Sequence, residues 1–338
     1  MYKQFSFIVL LLFTLSSWAK RDSLKVYKRN LSQEFTINNT SYSYNRPKPF
    51  SFIKNVPKDL VDLGKSTWKK ESIVPITIMT AATAITYYYD DLLIRESQLS
   101  AQRMGWENDN NFVNISRMSV FKGEKNLELP VLLPEDFETT MYYLGDGFAS
   151  LILSGSLYSI GLITKDNRAL TTSNQITGSL ISMGIVTQTI KRITGRSTPA
   201  VATSPRGRWN LFPSFFEYTK NTPYYDAVPS GHMATAMVTL TIVAENYREH
   251  KWIRPLGYTF LGLMGYQMAQ TKVHWVSDYP LAILLGYVMG KNAVKRGRKE
   301  INKEANNIHQ QPASFWKKIQ INPILYDNTR GLGLMYQF

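Results

Sequence analysis

The stretch AVPSGHMATA, Ala227–Ala236, decides how this sequence is read. A Pro-Ser-Gly-His turn runs directly into apolar, helix-compatible residues. Ser230 stands where a helix N-cap belongs. A helix start offers free backbone N–H groups and the positive end of the helix dipole, which suit a phosphate or another anion. Gly231 lets such an anion approach the backbone closely. His232, in the first turn, is placed to protonate a leaving oxygen. The plainer alternative is an N-cap serine with a histidine beside it.

A second histidine and an aspartate follow in VHWVSDYPLA, Val273–Ala282. Four residues apart, His274 and Asp278 share one face if this part is helical. A carboxylate that accepts from one imidazole nitrogen fixes the tautomer and leaves the other nitrogen free as base or nucleophile. A surface histidine with an incidental aspartate is the bland account. Upstream, IKRITGRSTPA, Ile190–Ala200, ends a long uncharged stretch with Lys191 and Arg192. Cations at a helix C-terminus complement the dipole; Lys191 is equally suited to hold phosphate.

The chain has 338 residues, 39 Lys and Arg against 25 Asp and Glu, a net charge of +14 and no cysteine. The charge favours anionic partners: phosphorylated substrates, anionic lipid surfaces or nucleic acid. No nucleic-acid motif accompanies it, so nucleic acid is not expected as a partner. The absence of cysteine excludes disulfides, thiolate metal sites and a catalytic thiol. Lys3, the apolar run Phe5–Leu15 and the small residues Ser17 and Ala19 predict an export signal over 1–19. The mature chain is then exported, to the periplasm. Residues 20–56 are polar and basic and predict a mobile or surface-draped extension.

From Pro57 the texture turns helical. Six uncharged stretches predict six buried helices: Ile73–Tyr89, Gly147–Thr164, Ala169–Ile190, Met233–Ala244, Pro255–Thr271 and Tyr279–Gly290. Asp90–Glu138 reads as a polar connecting segment, and Asp146 as a helix cap. Two of the six stretches have only 12 uncharged residues, about 18 Å of helix, against about 30 Å of bilayer core. We therefore expect a compact bundle on the exported side, with a membrane surface as a partner. The helical domain covers 57–300. Residues 313–338 carry two strand-like runs around DNTRG and predict a β-hairpin.

Taken together, the three blocks resemble the type 2 phosphatidic acid phosphatase (PAP2) superfamily, which also contains the vanadium haloperoxidases. That family shows K-x6-R-P, then P-S-G-H, then S-R-x5-H-x3-D. Lys191 and Pro199 fit the first block, Pro229, Ser230, Gly231 and His232 the second, and His274 and Asp278 the end of the third. Between them lie 29 residues from Pro199 to Pro229 and 41 from His232 to His274. The family arginine before Pro199 is Thr198 here, and the Ser-Arg pair falls on Gln267 and Met268.

The resemblance implies an all-α fold with a six-helix core bundle of the PAP2/haloperoxidase type. It also implies a phosphomonoesterase acting on a lipid phosphate or another phosphate ester. His274 is the implied nucleophile, forming a phosphohistidine. Asp278 orients it and His232 protonates the departing alkoxide. Lys191, Ser230 and Gly231 hold the phosphoryl oxygens, and Arg196 is the expected stand-in for the missing arginines, ahead of Arg192 and Lys272. No metal or other cofactor is implied. Two alternatives stay open: a non-catalytic member that binds an anionic lipid or partner, and a haloperoxidase holding vanadate in the same pocket. The segment SPRGRWNLFPSFFEYTKNTPYYD, Ser204–Asp226, reads as a lid whose Trp209, Phe212, Phe215 and Phe216 meet an apolar substrate tail, or as a loop pinned by buried aromatics.

Overall fold

The computed structural model describes residues 32–37, 40–107, 109–119, 128–301, 319–326 and 329–336. The expected export signal over 1–19 lies outside them. All six expected helices form. They are α2 (Ile73–Arg103), α4 (Gly147–Thr164), α5 (Asn167–Thr194), α7 (Gly231–Asn246), α8 (Ile253–Gln270) and α9 (Tyr279–Gly297). Two of them, α4 and the first part of α2, are not buried as expected. Shorter helices join them: α1 (Ser51–Thr67), α3 (Phe137–Tyr143) and α6 (Phe215–Lys220). The chain is the expected all-α bundle, with small β additions.

Local chemistry sets the boundaries. Asp136 and Asp166 accept N–H bonds from Thr139 and Ala169 at 2.6 and 3.0 Å and cap α3 and α5. Asp146 occupies the N-cap position of α4, but its side chain accepts no cap bond among the described residues. The helix α5 ends on Gly195 in the left-handed region, φ 51°, where a Cβ would collide with the Asn210 carbonyl oxygen. Only glycine fits that turn.

The central pair is α7 against α9. Gly286 and Gly290 face α7 so closely that a Cβ on either would meet Ala234 O or Thr241 Cβ at 2.7 Å. Around this seam Ile176, Met183, Val238, Ile242, Met264 and Met289 form one apolar core. The Ser- and Thr-rich face of α5 is explained by its neighbours. Ser154 of α4 bonds Ser173 and Thr177, Ser182 bonds Asp59 of α1, and Gln175 accepts from Asn246 of α7. Buried polar groups are satisfied between helices.

Two further expectations change. The draped extension does not hold for residues 32–56. Strands β1 (Ser32–Ile37) and β2 (Thr40–Asn45) pair antiparallel; β3 (Phe112–Ser119) and β4 (Glu128–Pro134) follow in the chain, and β2 also pairs with the short strand β5 (Arg298–Ile301) after α9. Alternation in TSYSYN buries Tyr42 and Tyr44 beneath the sheet, and α1 starts at Ser51, ahead of Pro57. The polar segment from Asp90 also differs. Helix α2 runs on to Arg103, because Asp90 is fully buried with partners of its own, and β3 and β4 form a hairpin after it.

Residues 302–338 form a separate unit. There β6 (Ile319–Tyr326) and β7 (Thr329–Tyr336) pair antiparallel, from Ile319 opposite Tyr336 to Tyr326 opposite Thr329. This is the expected C-terminal hairpin.

Among the described residues one helix, α4, is long and apolar enough to cross a membrane, and only 17% of it is buried. Its Leu151, Ile152, Tyr158 and Ile163 are exposed, as are Ile73, Ile78, Ile85 and Tyr88 of α2.

Candidate active site

The PSGH turn does form a helix start. Ser230 accepts the Met233 N–H at 3.3 Å and caps α7, and its own N–H donates to the Asp278 carbonyl at 3.2 Å. That second bond ties the turn to the segment carrying the other histidine. His232 and His274 face each other with ring centroids 5.9 Å apart, and Tyr142 of α3 packs against His232 at 4.5 Å.

His274 and Asp278 do not share a single α-helix. Residues Val276–Asp278 form a 3-10 turn ahead of α9, and it still brings the pair together. His274 Nδ1 lies 3.6 Å from Asp278 Oδ2. This is longer than a hydrogen bond, and Nδ1 has no other partner among the described residues. Such contacts in ligand-free sites tighten when substrate binds. Asp278 is otherwise held firmly: Oδ2 accepts the Trp275 N–H at 2.9 Å and Oδ1 accepts Arg196 Nη1 at 2.6 Å. With Nδ1 turned to the carboxylate, Nε2 is the nitrogen left for chemistry.

Lys191 comes from the last turn of α5. Its Nζ lies 3.8 Å from where a Cβ on Gly231 would sit. The ammonium is thus over the start of α7, where backbone N–H groups and cation address the same small volume. It is already paired: Asp226 Oδ2 lies 2.8 Å away, and Asp226 Oδ1 accepts the Tyr218 hydroxyl of α6.

His232 is half-buried. Burial first, then the neighbouring His274 and Lys191, lower its pKa to about 3. In the absence of an anion it is neutral at pH 7. A phosphate beside it supplies the negative charge that favours its protonated form.

The fourth expected phosphate ligand is corrected. Arg196 is 1% exposed and faces Asp278 and Asp90, not the Lys191–Gly231 space. Its Nη1 donates to Ser277 Oγ and Asp278, its Nη2 to Asp90 and the Arg206 carbonyl, and its Nε to the same carbonyl. A guanidinium has five N–H donors, and all five are engaged. Tyr87, Trp209 and Trp275 surround it, each ring about 5 Å from the guanidinium carbon. Neither remaining substitute serves. Arg192 packs over Phe215 and Tyr218 at 5.3 and 4.2 Å, and Lys272 is exposed. Met268 is fully buried with its sulfur 3.7 Å from the Ser230 hydroxyl, and Gln267 bonds Asn110.

The sequence did not mark Asp90, Ser277, Asp226 or Tyr142 as part of this neighbourhood. Asp90 had one signal: it is the first charge after the uncharged run Ile73–Tyr89, on a helix that continues past it. Asp226 sits three residues before the PSGH turn, in a segment read as a lid. The four aromatics named for the lid, Trp209, Phe212, Phe215 and Phe216, are exposed, while Tyr218 of the same segment is buried. Leu211, Phe212, Phe215 and Phe216 are each 64–81% exposed, so the pinned-loop reading fails for them. Phe212 holds its place by donating to the Ile193 carbonyl at 3.1 Å. A separate cavity of about 430 Å³ lies along Asp91, Ile94, Gln98, Pro199, Pro205 and Trp275 and contains none of the site residues expected from the sequence.

Residues 174–300 match the family model of the PAP2 superfamily. That span holds all three motif blocks and bears out the resemblance. Among solved structures, the crystal structure of Aquifex aeolicus LpxE is similar to this chain at 20% identity, over 47% of this chain and 84% of that one. Its TM-score of 0.35 makes it too distant a likeness to carry an inference. No curated protein matches the chain.

Proposed function

We propose that the protein is a PAP2-type phosphatase that releases phosphate from a lipid phosphate or a related phosphate ester. The observation that carries this is the His232–His274 pair at 5.9 Å, with Asp278 behind His274 and Lys191 over the N-terminus of α7. In the proposed reaction the His274 Nε2 lone pair attacks phosphorus. The P–O ester bond breaks, and its electron pair leaves on the alkoxide oxygen, which takes a proton from His232. Asp278 balances the positive charge that develops on His274. Water then attacks phosphorus and gives its proton to His232. The P–N bond breaks, and its electron pair returns to His274. Lys191 and the first N–H groups of α7 stabilise the phosphoryl oxygens.

The lipid side of the reading is supported by apolar surface. The exposed Leu211, Phe212, Phe215 and Phe216 lie on the segment that joins Arg196 to Asp226, and α2 and α4 leave aliphatic and aromatic side chains uncovered. A membrane surface is the partner that covers such residues at least cost. Together with the export signal expected from residues 1–19, this surface supports the reading of a periplasmic, membrane-associated enzyme.

A second reading has its own support. Both family arginines are missing, Arg196 is fully engaged elsewhere, and Lys191 is paired with Asp226. A non-catalytic member that binds an anionic headgroup fits those facts, while a haloperoxidase suffers from the same shortage of cations. Phosphate release from a panel of lipid and soluble phosphates, by wild type and by His274→Ala, separates them. Release by wild type alone supports the phosphatase. Retained binding of anionic vesicles with no release by either protein supports the second reading.

A further inference from the structure

We propose that Asp90 and Arg196 are positioning residues that hold Asp278 toward His274 while leaving its negative charge uncancelled. This rests on the proposed phosphatase reading for its kinetic consequence, but its structural core does not.

Three ionisable side chains are shut inside the bundle: Asp90 of α2 and Asp278 are 0% exposed and Arg196 is 1% exposed. Asp90 accepts only from donors. These are the Ser277 N–H at 3.0 Å, the Ser277 hydroxyl at 2.5 Å and Arg196 Nη2 at 2.7 Å. A protonated Asp90 would need an acceptor for its own O–H; of these groups only Ser277 Oγ has a lone pair left, and using it would leave the Ser277 hydroxyl proton without an acceptor among the described residues. Ser277 Oγ already accepts from Arg196 Nη1 at 2.8 Å while it donates to Asp90. Burial raises the Asp90 pKa above its ordinary value, and the bonds from Ser277 and Arg196, with the Arg196 charge, limit the rise. The bonding pattern therefore belongs to a carboxylate.

The charge count follows. Arg196 alone against Asp278 makes a neutral pair, and a neutral pair attracts a cationic imidazole weakly. With Asp90 present, the trio carries one net negative charge. That charge becomes balanced when His274 turns positive, as it does on taking a phosphoryl group. Arg196 thus fixes the Asp278 carboxylate in place through a short charge-assisted bond, and Asp90 offsets the electrostatic penalty of doing so. The other ionisable groups of the site, His232 of α7, Lys191 of α5 and Asp226, make no side-chain hydrogen bond or ion pair with Asp90 or Arg196 among the described residues.

The test uses three forms of the full chain: wild type, Asp90→Asn, and Asp90→Asn combined with Arg196→Gln. The single variant keeps the shape and removes the excess charge. The double variant removes one charge of each sign and restores the net charge of the cluster. In the double variant Asp278 loses its counter-ion but keeps the Trp275 N–H, and the amide introduced at position 196 can still donate to it, so its placement is retained while the net charge returns. The first readout is independent of activity. The chain has only four histidines, so ¹⁵N-histidine NMR resolves the His274 Nδ1–H signal that faces Asp278. We expect that signal in wild type, its loss in Asp90→Asn, and its return in the double variant. The second readout is phosphate release. We expect kcat to fall 10- to 100-fold in Asp90→Asn with KM within twofold, and the double variant to recover at least tenfold. A double variant no better than the single one in the NMR signal overturns the proposal, since a purely structural role predicts additive damage. Wild type lacking phosphatase activity but following the NMR pattern overturns the phosphatase reading and leaves the positioning role standing.

Discussion

Lys191 cannot serve an incoming phosphate fully while Asp226 holds it. Replacing Asp226 by asparagine tests whether that carboxylate competes with the substrate. Two unit charges at 2.8 Å attract by about 6 kcal/mol at an effective dielectric of about 20. Most of that is offset, because Asp226 is 24% exposed and ion pairs of this kind retain on the order of 1–2 kcal/mol after desolvation and ordering. An anion that displaces Asp226 must overcome that remainder. In Asp226→Asn the amide oxygen still accepts the Tyr218 hydroxyl, so the lid keeps its tether while the competing charge is gone. The expected result is an affinity for inorganic phosphate about tenfold higher, since about 1.4 kcal/mol is a factor of ten. The assay is thermal unfolding against phosphate concentration. A ligand that binds only the folded chain stabilises it by RT ln(1 + [L]/Kd), so the variant starts less stable and gains more per millimolar phosphate. An unchanged or weaker phosphate response in a folded Asp226→Asn protein refutes the competition and puts Asp226 on the ligand's side of the site.

Other consequences are as direct. Gly231→Ala adds a methyl 3.8 Å from Lys191 Nζ, an ordinary contact, so the melting temperature should hold while phosphate affinity drops at least about tenfold, for a lost anion position worth about 1.4 kcal/mol or more; a titration of both proteins checks it. For His232, whose pKa is lowered from 6.5 to about 3, the unfolded chain binds more protons than the folded one between those values. Stability contributed by the neutral ring is therefore present above pH 6.5 and lost as pH falls toward 3; His232→Gln should flatten that part of a stability–pH curve. Glu245 lies in the last turn of α7, about 20 Å along the axis from His232 at 1.5 Å per residue. It is buried among Arg248, Arg254, Lys291 and Arg298. Burial opposes its ionisation, but these cations hold its pKa down at about 2, so its contribution persists above pH 4.5 and fades as pH drops toward 2. Glu245→Gln leaves the cations facing one another and should cost about 3–5 kcal/mol in denaturant unfolding with kcat unaltered.

How much of this was legible beforehand depends on whether the information is local. The six helices were readable because uncharged runs are continuous in sequence, but burial accounts for only part of them: α4 is 17% buried and the Ile73–Tyr89 run of α2 leaves its apolar side chains uncovered. The PSGH cap and the His274–Asp278 spacing were readable because capping and short-range pairing act within one turn. Arg196 was misread for the opposite reason. Its neighbours in sequence, Gly195 and Ser197, suggest a flexible turn, while its partners Asp90 and Asp278 lie 106 and 82 residues away. Nothing local to TGRS announces a buried double ion pair. The same holds for Asp226, whose partner Lys191 is 35 residues upstream. The N-terminal strands were missed because polar, Ser- and Asn-rich residues alternate there with tyrosines, and the alternation matters only once β5 supplies the pairing edge.

The central claim is that His274 itself takes the phosphoryl group. Wild type mixed with a phosphate-ester substrate and quenched in base within milliseconds, then digested for mass spectrometry, should carry phosphate on the peptide containing His274, and His232→Gln should accumulate more of it by slowing hydrolysis. Turnover of the same substrate by wild type with no phosphate on that peptide at any time, or undiminished turnover by His274→Ala, contradicts the account.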